Sequence, residues 1–338
     1  MLWMLEALKI ARKVDDYVLH CVWDELNKLG IVDELKRGTE PTVIADKFGL
    51  DRSLFLSLYN ALTQTRLIKA ILKGVKKPKL GPEFSKFETG MRMLVRAFFM
   101  RMQGKVPDEM EIFDRRFYIL SFKSIHVNRA IIRAKAIGLR GLGFKPKNGV
   151  KLIELGAGYG SFTLSILSML ARYGVRDFKL ICVDMSEDME KEFYKTVTSE
   201  MLTSLNIPEK YLENIEYKIA DVSELPKFAN DLGKESFDYA LSCALQHWVR
   251  NRHEMYRGIA TLLKPGAIWF DVGSLYTEKV PSLMSVLLLF TRDYAGALTE
   301  ADLDEIRKHL VVEKVKTRRT KTFTSIHIRA AKPVYLVM

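Results

Sequence analysis

The sequence predicts an α/β protein in which an all-helical N-terminal part precedes a doubly wound, mostly parallel sheet. Residues 1–140 carry one helix-period apolar pattern after another, whereas from Val150 apolar strand-like runs alternate with helical stretches. The strand-like runs are almost continuously apolar, which is typical of parallel strands buried on both faces. The segment 143–149 is rich in Gly, Pro and Lys, so we predict domains at 1–145 and 146–338.

Length and composition exclude several classes of protein. The chain has 338 residues, enough for two domains, and its 48% hydrophobic and 28% charged content is that of a globular protein. No stretch approaches the roughly 20 apolar residues that span a bilayer. Cys21, Cys182 and Cys243 lie too far apart for a disulfide framework or a Cys/His metal cluster. We therefore expect a cytoplasmic protein with no membrane partner and no metal.

The net charge of +12 belongs entirely to the N-terminal part. Residues 1–148 hold 28 basic and 16 acidic side chains (28 − 16 = +12), and residues 149–338 hold 25 of each. Eleven of the basic residues lie between Arg66 and Lys105. Such a run attracts nucleic acid or an acidic partner, but a solvated face is its commoner role, and we favour that role.

The N-terminal elements follow the order of a winged helix. Helical patterns cover residues 14–29, Pro41–Phe48 and Asp51–Thr65 in turn. The apolar segment Leu67–Leu80, interrupted by Gly74, predicts a small hairpin after them. The exposed face of the third helix is polar rather than basic, which favours a dimer-forming or substrate-covering role over DNA reading.

The C-terminal part predicts five strands separated by helices. We place strands at Val150–Leu155, Lys179–Asp184, Asn214–Ala220, Phe237–Ser242 and Gly266–Val272, and helices at Ser161–Tyr173, Met189–Leu205 and Arg250–Leu263. Ligands of such sheets bind at the carboxyl ends of the strands, so the candidate site lies there.

The first strand ends in a glycine turn, Glu154-Leu155-Gly156-Ala157-Gly158-Tyr159-Gly160. Gly156 and Gly158 permit a tight turn and the close approach of a ligand to the backbone. A dinucleotide site requires G-x-G-x-x-G, but here Gly160 comes one residue early. The carboxylate of Glu154 would repel a pyrophosphate, and it suits a cationic ligand.

Acidic residues follow at the next strand ends in the order that an adenosyl ligand requires. Asp184 ends the second strand, where a carboxylate accepts hydrogen bonds from both hydroxyls of a ribose. Asp221 and Val222 follow the third strand, where a carboxylate and an N–H pair with an adenine edge. The fourth strand ends in Ser242-Cys243-Ala244, whose carbonyls suit a positive sulfur.

Residues 150–272 resemble a class I S-adenosylmethionine-dependent methyltransferase domain, through the E-x-G-x-G-x-G turn, Asp184, Asp221 and the LLKPG segment 262–266. The whole chain resembles the O-methyltransferase family with an N-terminal winged-helix dimerisation domain. The resemblance implies a homodimer that uses S-adenosyl-L-methionine, and a seven-stranded sheet whose last strand, for which Phe323–Ile328 is the candidate, runs antiparallel. The cofactor-binding residues that we predict are Glu154, Gly156, Ala157, Gly158, Gly160, Asp184, Met185, Asp221, Val222, Ser242 and Cys243.

His247 is the candidate catalytic base. Phenol-methylating members of the family place a His two residues before a Trp after strand four, but here Gln246 stands at that offset from Trp248. Glutamine cannot act as a base, and His247 lies one residue late. A helix-terminal or surface histidine is an equal alternative for His247, and we assign ordinary structural roles to His126, His253 and His309.

The apolar segment 280–290 has two interpretations. It predicts either a lid suited to an apolar or aromatic acceptor, or a core or dimer-interface helix. The function predicted from the whole sequence is methyl transfer to a small molecule, with oxygen, nitrogen or carbon as the acceptor atom. The alternatives are an RNA methyltransferase that grips phosphates with its basic N-terminal part, and a non-catalytic, cofactor-binding DNA regulator.

Overall fold

The computed structural model describes residues 2–105, 115–291 and 293–334, and its N-terminal region is helical. The predicted helical pattern at 106–114 lies outside the described residues. The described helices of this region are α1 (Leu2–Lys28), α2 (Ile31–Lys36), α3 (Pro41–Lys47), α4 (Arg52–Gln64), α5 (Ile68–Lys73), α6 (Ser85–Met102), α7 (Arg115–His126) and α8 (Arg129–Leu142).

Local sequence explains where α4 begins and which face it buries. The side chain of Asp51 accepts a hydrogen bond from the Leu54 N–H at 3.0 Å, as expected of an N-cap. Phe55, Leu58 and Leu62 are buried in the helical core, at the spacing of one helix face.

The hairpin predicted at Leu67–Leu80 is wrong. Ile68–Lys73 forms α5, and residues 74–81 contain no strand. Leu67 and Ile71 are buried four residues apart on one helical face, and so short an apolar run does not distinguish a helix from a strand by its period. Since the wing depended on this hairpin, the winged helix is not confirmed.

The C-terminal part is built on a mixed seven-stranded sheet. Its strands are β1 (Val150–Leu155), β2 (Phe178–Asp184), β3 (Ile215–Ile219), β4 (Phe237–Cys243), β5 (Leu263–Leu275), β6 (Val311–Arg319) and β7 (Thr324–Ala331). They lie in the order β3-β2-β1-β4-β5-β7-β6. β7 runs antiparallel to β5 and β6, whereas the other neighbours are parallel, which confirms the mostly parallel sheet and its antiparallel last strand.

Helices flank the sheet on both faces. The remaining described α-helices are α9 (Ser161–Arg172), α10 (Glu187–Tyr194), α11 (Ser199–Ser204), α12 (Leu225–Leu232), α13 (Arg252–Leu262), α14 (Leu283–Leu287) and α15 (Glu300–Arg307). Successive strand residues point to opposite faces, so Leu152 joins the buried cluster beside α8 and α9 while Ile153 joins the one beside α12 and α13. Burial on both faces explains the continuous apolar runs in the sequence.

α14 belongs to the core of the helical part. Leu283, Met284, Val286 and Leu287 are buried in the same cluster as the apolar faces of α4 and α6. This confirms the core interpretation of the apolar segment after β5. The domain boundary at residue 145 stays a prediction, because α14 lies after residue 145 in the chain but packs against α4 and α6, which lie before it.

A buried carboxylate holds α1 against the turn between β6 and β7. Asp15 is only 4% exposed and accepts hydrogen bonds from Thr320 Oγ1 at 2.8 Å and from the Lys321 and Thr322 N–H groups at 3.1 and 3.2 Å. The Thr322 hydroxyl donates to it as well. The first helix is thereby attached to the far edge of the sheet.

Among the described helices, none combines the length and the apolar character that a bilayer crossing requires.

Candidate active site

The carboxyl ends of the parallel strands meet at a cavity of about 680 Å³. One side of this cavity carries the glycine turn after β1 and the acidic residues after β2 and β3. The opposite side is contributed by α1, α7, α8 and the β6–β7 turn. Its apolar side chains are Val14, Phe122, Ile125, Ile131 and Phe323.

Nine of the twelve predicted site residues line the cavity: Gly156, Ala157, Gly158, Asp184, Met185, Asp221, Val222, Cys243 and His247. Glu154, Gly160 and Ser242 do not line it. The described residues of α14 are also absent from its walls, so the lid interpretation of the segment after β5 is wrong.

The three glycines of the turn are required for different structural reasons. All adopt a positive φ, of 70° at Gly156, 52° at Gly158 and 83° at Gly160. A Cβ on Gly156 would lie 2.5 Å from Leu245, and one on Gly160 would lie 2.4 Å from Val197. A Cβ on Gly158 would meet no atom within 4 Å. Two glycines therefore let the turn pack against protein, while Gly158 presents bare backbone to the cavity.

Backbone N–H groups orient the acidic side chains of the site. Asp184 accepts from the Gly158 N–H at 2.9 Å and from the Ser186 N–H at 3.2 Å. Asp221 accepts from the Ser223 N–H at 2.8 Å. These contacts hold both carboxylates at the cavity wall and tie the end of β2 to the glycine turn.

Glu154 lies behind the glycine turn rather than in the cavity. It is 1% exposed, and its Oε2 accepts from the Thr163 hydroxyl at 2.6 Å. Its Oε1 is buried and has no hydrogen-bond partner among the described residues. Burial raises the pKa of this carboxyl to about 8, because a low-dielectric interior penalises the charged form.

His247 is buried beside Trp248 at the end of β4. Its Nδ1 accepts from the Leu275 N–H at 3.2 Å, so in the neutral ring the proton resides on Nε2. Burial, aided by the charge of Arg252, lowers the pKa of His247 to about 3. The arrangement favours a hydrogen-bond donor over a base, and the catalytic role of His247 stays a prediction.

Gln246, which stands at the offset from Trp248 where the sequence resemblance implied a base, does not reach the cavity. Its side chain is fully buried, and its Oε1 accepts from the Tyr256 hydroxyl at 2.7 Å. The neighbouring Trp248 does line the cavity. The residue after Gln246 is therefore the one whose side chain lies at the site.

The predicted site residues do not include several polar side chains that line the cavity. The Tyr159 hydroxyl lies 2.6 Å from His126 Nδ1, and Lys135 donates to Ser161 Oγ at 3.1 Å. His327 on β7 is 7% exposed, and burial lowers its pKa to about 4. Only Tyr159 carried a signal, its place within the glycine turn; the others lie on helices or on a strand far away in the sequence.

A comparison with known families finds a match that covers most of this sheet. Residues 153–270 match the family model described as a methyltransferase domain. The match begins within β1 and ends within β5, so the matched segment includes the strand ends that form the polar side of the cavity. No curated protein matches the chain.

Solved structures of methyltransferases are similar to the chain at low identity. DszA carbon methyltransferase has 13% identity and a TM-score of 0.49, over 98% of this chain and 91% of that chain. CurJ carbon methyltransferase has 15% identity and a TM-score of 0.48, over 97% and 92%. Geranyl diphosphate C-methyltransferase from Streptomyces coelicolor A3(2), in complex with S-adenosyl-L-homocysteine, has 13% identity and a TM-score of 0.45, over 60% and 81%.

Proposed function

We propose that the chain transfers the methyl group of S-adenosylmethionine to a small acceptor with an apolar body. The observation that carries this proposal is the continuity of the cavity. A single space reaches the glycine turn and acidic residues on the sheet side and the apolar side chains of the helices on the other. Two ligands held in one such space meet in a defined orientation, which is the main requirement of an in-line displacement.

The polar side of the cavity fits the cofactor. We assign Asp184 to the ribose hydroxyls, and Asp221 with the Val222 N–H to the adenine edge. Gly158, whose backbone is bare toward the cavity, and the adjoining turn hold the methionine end. Met185 lines the same wall and is 47% exposed, and we assign its side chain to the face of the base. When bound, S-adenosylmethionine supplies an activated methyl group on a positive sulfur.

The helical side of the cavity defines the acceptor. Its wall is mainly apolar but also carries polar side chains, among them those of His126, Lys135 and His327. Burial lowers the pKa of His126, His247 and His327, so these rings are neutral and weakly basic at pH 7. Such groups orient an acceptor through hydrogen bonds, and we infer an acceptor atom that attacks without the help of a strong base.

The cofactor assignment is tested by calorimetric titration of the full chain with S-adenosylhomocysteine. We expect saturable binding, weakened about tenfold or more by Asp184→Asn, because the amide no longer accepts with a full negative charge. The matched control is Glu187→Gln, an exposed carboxyl just beyond β2 that does not line the cavity. Absence of heat with the wild-type chain, or unchanged affinity in Asp184→Asn, contradicts the assignment.

The acceptor class is tested with methyl-labelled S-adenosylmethionine, offered with a pool of small apolar compounds or with RNA. We expect label in the small-molecule fraction. All eleven basic residues between Arg66 and Lys105 are exposed, and none lines the cavity. Label recovered in RNA would instead support the nucleic-acid alternative.

A further inference from the structure

Three potential metal ligands meet on the surface between α13 and α15, outside the cavity. His253 lies in the first turn of α13, Glu305 lies on α15, and His309 follows α15. Glu305 Oε1 is 2.6 Å from His253 Nδ1 and 3.7 Å from His309 Nε2. The ligand atoms of the three side chains all lie within 4.8 Å of one another.

The fold itself brings these side chains together. Glu305 and His309 are four residues apart, the spacing that places side chains on one face of a helical turn. His253 comes from the neighbouring helix, and Arg252 beside it pairs with Asp302 of α15 at 2.8 Å. The Arg252 and Asp302 side chains are only 13% and 16% exposed, so this ion pair fixes the start of α13 against α15.

Neighbouring contacts leave the cluster prepared for a cation. Lys308 Nζ forms an ion pair with Glu305 Oε2 at 2.5 Å. This contact leaves Oε1 of the same carboxylate directed toward the two histidines. His309 Nε2 is buried and has no hydrogen-bond partner within the described part of the chain. A coordination bond would satisfy this nitrogen. Ligands about 2.1 Å from a tetrahedral ion stand about 3.4 Å apart, so small side-chain rotations suffice to close the site.

We propose that His253, Glu305 and His309 bind a divalent transition-metal ion of the Zn²⁺ class, with water completing the coordination. Two imidazole nitrogens and one carboxylate oxygen suit Zn²⁺ or Co²⁺, whereas Mg²⁺ and Ca²⁺ prefer an all-oxygen set. The ion links α13 to α15 and so stabilises the fold, and this role does not depend on methyl transfer. Sequence patterns did not indicate the site, because His253 and Glu305 are 52 positions apart in the chain.

The site is tested on the untagged full chain, purified free of metal. Co²⁺ is expected to produce visible d–d absorption, and Zn²⁺ is expected to raise the melting temperature by about 3 °C or more, while Mg²⁺ at the same concentration does neither. His309→Gln and His253→Gln should each abolish the absorption and the thermal shift. Glu254→Gln is the matched control: its carboxylate lies 3.7 Å from His253 Nε2 but is not one of the three proposed ligands.

Each other outcome overturns the proposal. A wild-type chain that gives no Co²⁺ absorption and no Zn²⁺ shift has no such site. Metal binding that persists in both histidine variants, or that is lost in Glu254→Gln, places the ion elsewhere. A cooperative thermal unfolding transition, measured for each variant without metal, checks that each remains folded.

Discussion

At the scale of single residues, groups that are far away in the sequence determine the orientation and the tautomer of a site side chain. The offset from Trp248 drew attention to His247, but its tautomer depends on the N–H of Leu275, 28 residues further along the chain. Likewise, the motif that contains Glu154 did not indicate that its carboxylate lies behind the turn. The hydroxyl of Ser242 accepts a hydrogen bond from Trp269 Nε1 at 3.1 Å and does not line the cavity. Sequence therefore predicted which residues surround the site better than which way they point.

For His247, glutamine and alanine replacements distinguish a donor from a base. Glutamine retains an N–H donor of similar reach, so we expect His247→Gln to keep the turnover rate within about tenfold, whereas His247→Ala loses more. Both should bind S-adenosylhomocysteine normally. A general base contributes about 10²–10⁴-fold, so a loss of that size in both variants, with a changed pH–rate profile, would establish His247 as the base.

At the scale of elements, the buried strand β1 was predictable and the exposed strand β6 was not. β1 was predicted at its observed bounds because every residue except Lys151 is buried. β6 was not assigned, since its residues are nearly all exposed and it is held by backbone pairing to β7. The single helix predicted at Met189–Leu205 is two, α10 and α11, with Thr198 capping the second through its side chain.

The contact between α1 and the β6–β7 turn predicts a difference between two adjacent aspartates. Asp15→Asn replaces a buried carboxylate, which only accepts hydrogen bonds here, with an amide whose NH₂ group cannot accept. We expect this change to lower the free energy of unfolding by about 2 kcal/mol. Asp16 makes only an exposed ion pair with Lys321, so Asp16→Asn should cost less than about 1 kcal/mol. Urea unfolding measures both, and equal losses would contradict the assigned role of Asp15.

At the scale of the whole molecule, the exposed surface carries a run of basic residues and an apolar end of α1. The eleven basic residues between Arg66 and Lys105 are exposed, as expected of a solvated face. Met4, Leu5 and Leu8 on α1 are 46%, 54% and 61% exposed. Homodimer formation stays a prediction, and this apolar end of α1 is the candidate interface that we would test first.

Stability should depend on pH through Glu154. Its folded pKa, about 8, lies above the ordinary value of 4.5, so its favourable contribution is complete below pH 4.5 and is lost as the pH rises to 8. The lowered pKa values of His247 and His327 act in the opposite sense: their contribution is complete above pH 6.5 and is lost as the pH falls toward 4 and 3.

Between pH 6.5 and 8, Glu154 is therefore the group of these three whose titration changes stability. We expect the wild-type chain to lose about 2 kcal/mol over this interval, and Glu154→Gln, which does not titrate, to lose much less. Urea unfolding at several pH values measures the difference. Parallel curves for the two proteins would show that the carboxyl ionises normally.

The attachment of Asp15 to residues 320–322 has a consequence for biosynthesis. The two partners are about 305 residues apart, so the N-terminal helix emerges from the ribosome long before the turn that receives its carboxylate. Closing so long a loop is slow because of its entropic cost, and the buried side of this helix has no partner until residues 320–322 have been synthesised. Because the same helix contributes a wall of the cavity, the ligand-binding space cannot be complete before that turn has been synthesised.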